Sequence, residues 1–117
     1  MIKLMVSLSL AALMLLSAIY HIIKPKFYEP LIPAFIPSQF ANIVTAIAEG
    51  VVGIALLLPT YRTWGGFGFF LLMLGFLPLH TWDLLKAKPA FGSKKAAAIR
   101  LVLQFVLIYA GWWVWKS

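Results

Sequence analysis

The chain has 117 residues, of which 63% are hydrophobic and 11% charged, with a net charge of +7 and no cysteine. A soluble domain carries about 25% charged and roughly 45–50% apolar residues, so a water-covered globule is excluded and a single lipid-embedded domain over residues 1–117 is expected. The basic residues sit at the ends of long apolar runs, which suits lysines facing anionic lipid headgroups and argues against nucleic acid as a partner; the lack of cysteine excludes disulfides, thiol redox chemistry and thiolate metal sites.

A helix needs about 20 mostly apolar residues to cross a bilayer. Four stretches qualify, at about 4–23, 40–58, 63–82 and 97–115. The first, Leu4 to Ile23, contains no Asp, Glu, Lys or Arg. A signal peptide is the competing reading, but cleavage after Ala18 would leave Leu16 where a small residue is wanted, so an uncleaved helix is expected. Lys24 to Gln39 then carries Pro25, Pro30, Pro33 and Pro37, which rules out a regular helix throughout. Leu31, Ile32, Phe35 and Ile36 make this segment apolar. It should lie in the membrane interface or fold back as a lid, because irregular backbone at membrane depth needs protein or a wet cavity around it.

The second stretch is interrupted only by Glu49, and Pro59-Thr60-Tyr61-Arg62 reads as a tight turn into an antiparallel third helix. Thr63 to Trp82 has no formal charge, and its Gly65, Gly66, Gly68 and Gly75 read as close-packing positions. Asp83 to Lys95 reads as a basic loop. Ala97 to Trp115 carries only Arg100, near its start. The expected fold class is all-α: an integral membrane four-helix bundle with a proline-rich interfacial segment between helices one and two.

Two further patterns concern the whole chain. His21 followed by Lys24-Pro25-Lys26-Phe27 is echoed by His80 followed by Lys86-Ala87-Lys88-Pro89-Ala90-Phe91. Duplication of a two-helix hairpin would produce this, and so would chance. Lys24, Lys26, Lys86, Lys88, Lys94, Lys95 and Arg100 fall on one side, here called side A. Lys3, Arg62 and Lys116 fall on side B. The positive-inside rule places side A, with loops one and three, in the cytoplasm. Tyr61, Trp64, Trp112, Trp113 and Trp115 read as an aromatic belt on side B.

The polar residues inside the spans concentrate in the half nearer side A. A charge at the bilayer centre costs at least about 2.5–3.5 kcal/mol, and Glu49 stands near it. Asn42, Thr45, Glu49 and Gly53 recur at helical spacing and should share a face turned into the bundle. Helix one adds Ser17, Tyr20 and His21, helix three His80 and Asp83, and helix four Arg100 and Gln104. This distribution implies a polar pocket opening toward side A, floored by apolar side chains and roofed by the proline-rich segment. Intramembrane acids are functional by default, so Glu49, His21, His80, Tyr20, Arg100, Gln104, Asn42, Thr45 and Asp83 are the candidates for ligand binding or proton relay.

Duller readings stand beside these. Glu49 could be held by Gln104 or Tyr20 for packing alone, Arg100 could snorkel to headgroups, and His21 and His80 could be interfacial caps. Gln104 could bridge two helices, and Asp83 could be a solvated helix end. Two histidines with Glu49 or Asp83 would make a sensible metal set, but no tight His-x-x-x-His spacing accompanies them, and no metal is assigned. With no phosphate loop, nucleophile elbow or haem-attachment motif, catalytic residues are unassigned and an enzyme acting alone is not expected.

The stretch Tyr20-His21-Ile22-Ile23-Lys24-Pro25-Lys26-Phe27-Tyr28, with Ile32-Pro33 and Ile36-Pro37, resembles the first loop of DoxX-like bacterial membrane proteins. So do Glu49-Gly50 with Gly53, the turn from Leu56-Leu57-Leu58-Pro59 to Arg62, Pro78, and Arg100-Leu101 with Leu103-Gln104. Pro78-Leu79-His80-Thr81-Trp82-Asp83 departs from the pattern, which has an Ala-Asn pair after the proline. The resemblance implies a four-helix protein of the bacterial cytoplasmic membrane, linked in some members to redox systems with a quinone acceptor. A more distant likeness is to EXPERA-type bundles, which hold lipophiles between their helices. Three functions follow as expectations: a quinone-interacting accessory subunit fed by a redox partner protein, a binding or transport module for a small lipophilic molecule, and a structural subunit that packs through the glycines of helix three.

Overall fold

A computed structural model gives the fold and describes residues 1–90 and 92–117. Helix α1 spans Ile2–Ile23, a 3-10 helix spans Pro25–Leu31, and α2, α3 and α4 span Ser38–Leu57, Arg62–Leu85 and Lys94–Lys116. The described residues contain no strand. Each of the four α-helices is long and apolar enough to cross a membrane. Phe91, at the end of the second half of the His-Lys-Pro-Phe echo, lies outside the described residues.

The proline-rich segment avoids α-helix as its composition requires, but seven of its residues wind into a 3-10 helix with Pro25 at the start and Pro30 inside. The helix ends shift by no more than two residues from expectation, except at two boundaries that shift by three. Helix α4 begins at Lys94, so Lys94 and Lys95 are helical rather than part of a loop. The Ser93 side chain accepts from the Ala96 N–H at 3.1 Å, an N-cap ahead of three alanines that propagate helix well. Helix α3 runs on through Leu85, so Asp83 does not open the loop and is not a solvated helix end. It is 1% exposed. One carboxylate oxygen accepts from the Ala90 N–H at 2.6 Å and pairs with Lys86 Nζ at 3.1 Å. A buried carboxylate needs such partners, and here they pin the α3–α4 loop. Asp83→Ala is expected to destabilise the protein by about 2 kcal/mol, the range for a hydrogen bond to a charged group. Hydrogen exchange of the Ala90 amide, faster in the variant, would locate the loss.

Arg62 has a local task. Its Nε donates to the Leu56 carbonyl and its Nη2 to the Leu57 carbonyl, both at 2.9 Å. A helix end leaves such carbonyls without intrahelical donors, so this guanidinium caps α2 across the four-residue turn. That accounts for a cation beside the shortest loop, the one on side B.

Helix α1 packs along α2 and α3 along α4, and α2 against α3 joins the pairs. Leu10, Ala11, Met14, Leu56, Phe69, Met73 and Val114 form the apolar core. By position along their helices these residues occupy the middle and the side-B half. Lys3 Nζ closes that end, donating to Thr63 Oγ1 at 3.1 Å and to the Ser117 backbone oxygen at 2.9 Å. Of the glycines expected at close contacts, Gly65 and Gly66 each leave room for a neighbouring backbone N–H that a Cβ would meet at 2.7 Å. Gly68 faces Val52. The close packing expected at Gly75 is not found among the described residues, where an added Cβ would meet nothing within 4 Å. Gly111 of α4, which the sequence reading passed over, is packed against the backbone of Phe70.

Candidate functional site

The side-A half is built differently. Helix α2 turns Asn42, Ala46, Glu49, Gly53 and Leu56 inward, a spacing of three and four residues that keeps them on one face. Glu49 is only 3% exposed. His21, in the last turn of α1, lies against this face.

Asn42 sets the geometry. Its Nδ2 donates to the Ser38 carbonyl at 3.0 Å and to the Pro25 carbonyl at 3.3 Å. Both partners are pure acceptors, so the amide can face only one way, with Oδ1 toward His21 Nδ1 at 2.6 Å. An amide oxygen cannot donate, so Nδ1 must carry a proton. The other ring nitrogen, Nε2, faces Glu49 Oε1 at 3.6 Å. At that distance the two atoms are in ion-pair range but not hydrogen-bonded, and one further proton on either of them gives a neutral imidazole beside a carboxylic acid or an imidazolium beside a carboxylate. Both states are net neutral, which limits the cost of burying them.

The 3-10 helix covers this pair. The Tyr28 ring stacks on His21 with centroids 3.5 Å apart and planes 13° from parallel. Burial raises the Tyr28 hydroxyl above its ordinary value, and contact with Ser17 of α1 partly opposes the rise, so the phenol is a protonated donor at neutral pH. Tyr20 meets Phe27 and Tyr28 edge-on, with centroids 5.1 and 6.0 Å away. Asn42 holds the start of the roof through Pro25, and Lys86 Nζ holds its end through the Pro30 carbonyl at 2.5 Å.

Opposite stands α4. Arg100 Nη1 donates to Gln104 Oε1 at 2.9 Å, and Gln104 Nε2 donates to the Met73 carbonyl at 2.7 Å. Pro78, inside α3, has no N–H for the Leu74 carbonyl, which is adjacent to the Met73 carbonyl that Gln104 takes. Gln104 is wholly buried and thereby ties Arg100 to α3.

Between these groups lies a cavity of about 520 Å³, within the range of small-molecule sites. Helix α1 lines it with Leu13, Leu16, Ser17, Tyr20 and His21, and α2 with Ala41, Thr45 and Glu49. Phe76, Leu79 and His80 come from α3 and Arg100 from α4, while Phe27, Tyr28, Leu31, Ile32, Pro33 and Ile36 form the roof. Six of the candidates read from the sequence therefore meet at one cavity: Glu49, His21, His80, Tyr20, Arg100 and Thr45. Asn42 and Gln104 stand behind it as supports, and Asp83 anchors the loop beyond it. Tyr28 was missed. Its only sequence signal is a phenol placed in a segment read for its prolines, one helical turn past the end of α1. Among the described residues, no three His, Asp or Glu side chains are grouped so as to hold a metal ion.

A family model described as "Domain of unknown function (DUF8561)" matches residues 10–115. No curated protein and no solved structure matches the chain.

Proposed function

The chain belongs to the DUF8561 family of unknown function, and from its cavity we propose an integral membrane four-helix bundle that binds a small lipophile carrying a hydrogen-bonding head group. The observation that carries this reading is the cavity of about 520 Å³, apolar over most of its wall, into which polar groups of all four helices and the roof converge. Such a wall suits the body of a lipophile, and a few placed polar groups orient its head. The proline-rich segment would lie in the membrane interface above it, with side A in the cytoplasm of a bacterial cell. A quinone is one ligand of the class, with Tyr28, His80 and Arg100 as donors to its carbonyls. It would make the protein the redox accessory subunit that the DoxX-like resemblance implies, with electrons supplied by a partner protein. The structural-subunit reading would rest on Gly75, since Gly65 and Gly66 are used inside the chain.

Mass spectrometry of small molecules co-purified with the wild type, Thr45→Phe and Glu49→Gln tests the proposal. Thr45→Phe puts a ring into the cavity without touching the polar supports. One lipophile is expected at near-stoichiometric amount in the wild type. It should be lost in Thr45→Phe, with an unchanged melting temperature, and reduced in Glu49→Gln. Bulk phospholipid alone, identical in all three samples, would overturn the reading.

A further inference from the structure

The chain contains three acidic residues, and each has a place that leaves Arg100 without a counter-charge. Glu49 faces His21 at 3.6 Å, and Asp83 pairs with Lys86 at 3.1 Å. Glu29 is exposed on the outer surface of the roof helix and does not line the cavity. Among the described residues Arg100 bonds to a neutral amide, Gln104, and to no carboxylate. Its guanidinium is nevertheless partly buried and lines the cavity. Arg100 is the seventh residue of α4, about 9 Å along the helix from its side-A start. Glu49 is the twelfth of α2, about 16 Å from the same side.

An unpaired cation in apolar surroundings is costly. A guanidinium is always charged and presents a fork of N–H groups matched to carboxylate oxygens. Gln104 fixes that fork by one nitrogen and leaves its remaining donors for another partner. Deeper in the cavity, Leu13, Leu16 and Phe76 provide an apolar bed. When the His21–Glu49 pair carries one proton between them it is net neutral, and the Arg100 charge on the wall is left to another partner.

We infer that the ligand is an acidic lipophile, a carboxylate on an apolar chain or ring system, whose head is held by Arg100 and whose body lies along Leu13, Leu16 and Phe76. This rests on the cavity being a lipophile site and adds the charge of the head group. His80, which lines the same wall, faces the head from α3. Gln104 is a positioning residue that acts through Arg100.

The test uses the full chain in nanodiscs of zwitterionic lipid, with empty nanodiscs as background. Tritiated palmitate, its methyl ester and hexadecanol are the probes. Palmitate should bind at least about tenfold more tightly than the ester or the alcohol, the discrimination expected of one charge-assisted hydrogen bond. Arg100→Gln should lower palmitate by at least about tenfold, to the level of the ester, with a wild-type melting temperature showing that the variant is folded. Arg100→Lys should keep part of the preference, since the charge stays and the fork is lost. Equal binding of all three probes by the wild type would overturn the acidic head and leave the lipophile site standing. An unchanged palmitate preference in Arg100→Gln would overturn the assignment to Arg100, as for an arginine that only reaches bulk headgroups. If none of the three binds, both the acidic head and the lipophile site fall.

Discussion

Gly111→Ala is expected to be among the most damaging single substitutions in the chain, although it adds one methyl group. The new Cβ would stand 2.8 Å from the Phe70 backbone nitrogen and 2.8 Å from Phe69 Cδ1. A side chain could rotate away, but the Phe70 backbone belongs to the middle of α3 and cannot move alone. Helices α3 and α4 must separate along their most extensive contact. Overpacking costs about 1–3 kcal/mol in general, and the upper end is expected here. The control is Gly75→Ala, whose Cβ meets nothing within 4 Å. Alanine is the better helix former by roughly 0.5–1 kcal/mol, so this variant should gain stability. Thermal unfolding in detergent should move the two variants in opposite directions. A shared direction would mean that helix propensity governs these glycines and the close approach does not.

Asn42→Leu should be equally severe and should also disable the site. Leucine is close to asparagine in size but leaves the His21 Nδ1–H and the Pro25 carbonyl without their partner. An orphaned buried group costs about 1–3 kcal/mol, so the two together cost roughly 2–6 kcal/mol, toward the lower end because the Pro25 contact is part-buried. The chemical effect is more specific. With no acceptor at Nδ1, the neutral imidazole is free to carry its proton on Nε2, pointed at Glu49. Nitrogen chemical shifts of His21 should report Nδ1 protonated in the wild type and a population protonated at Nε2 alone in the variant. Ligand retention should fall together with the loss of the Nδ1-protonated form. A wild-type His21 protonated only at Nε2 would refute the orientation assigned to Asn42.

The two halves of the molecule differ in what their sequence announces. On side B, residues such as Leu10, Phe69 and Val114 fill a dry core, and apolar length is enough to foresee it. On side A, His21, Glu49, His80 and Arg100 stand out because each is expensive in a bilayer. That all four fall in the same half of the span follows from counting along helices of known rise. The facing of Asn42, Thr45 and Glu49 is equally legible, since three- and four-residue spacing is a local property of the chain.

Four membrane-length helices, the break at the prolines, the tight turn before Arg62 and the half of the span in which polar groups gather are therefore legible in the chain order. Each of these depends on nearby residues alone. Helix packing sets the rest: Glu49 faces His21 rather than Gln104 or Tyr20, Gln104 reaches the Met73 carbonyl, and Asp83 turns inward to hold Lys86 and Ala90. It also decided that Tyr28 lies on His21 and that Gly111 is packed tightly while Gly75 is free. The physical reason is common to all of them. Partners between helices depend on how far each helix is rotated about its axis and how closely it approaches its neighbour, and those quantities come from packing the whole set of side chains together. A polar residue in a membrane helix declares that it needs a partner, and the assembled fold chooses which one.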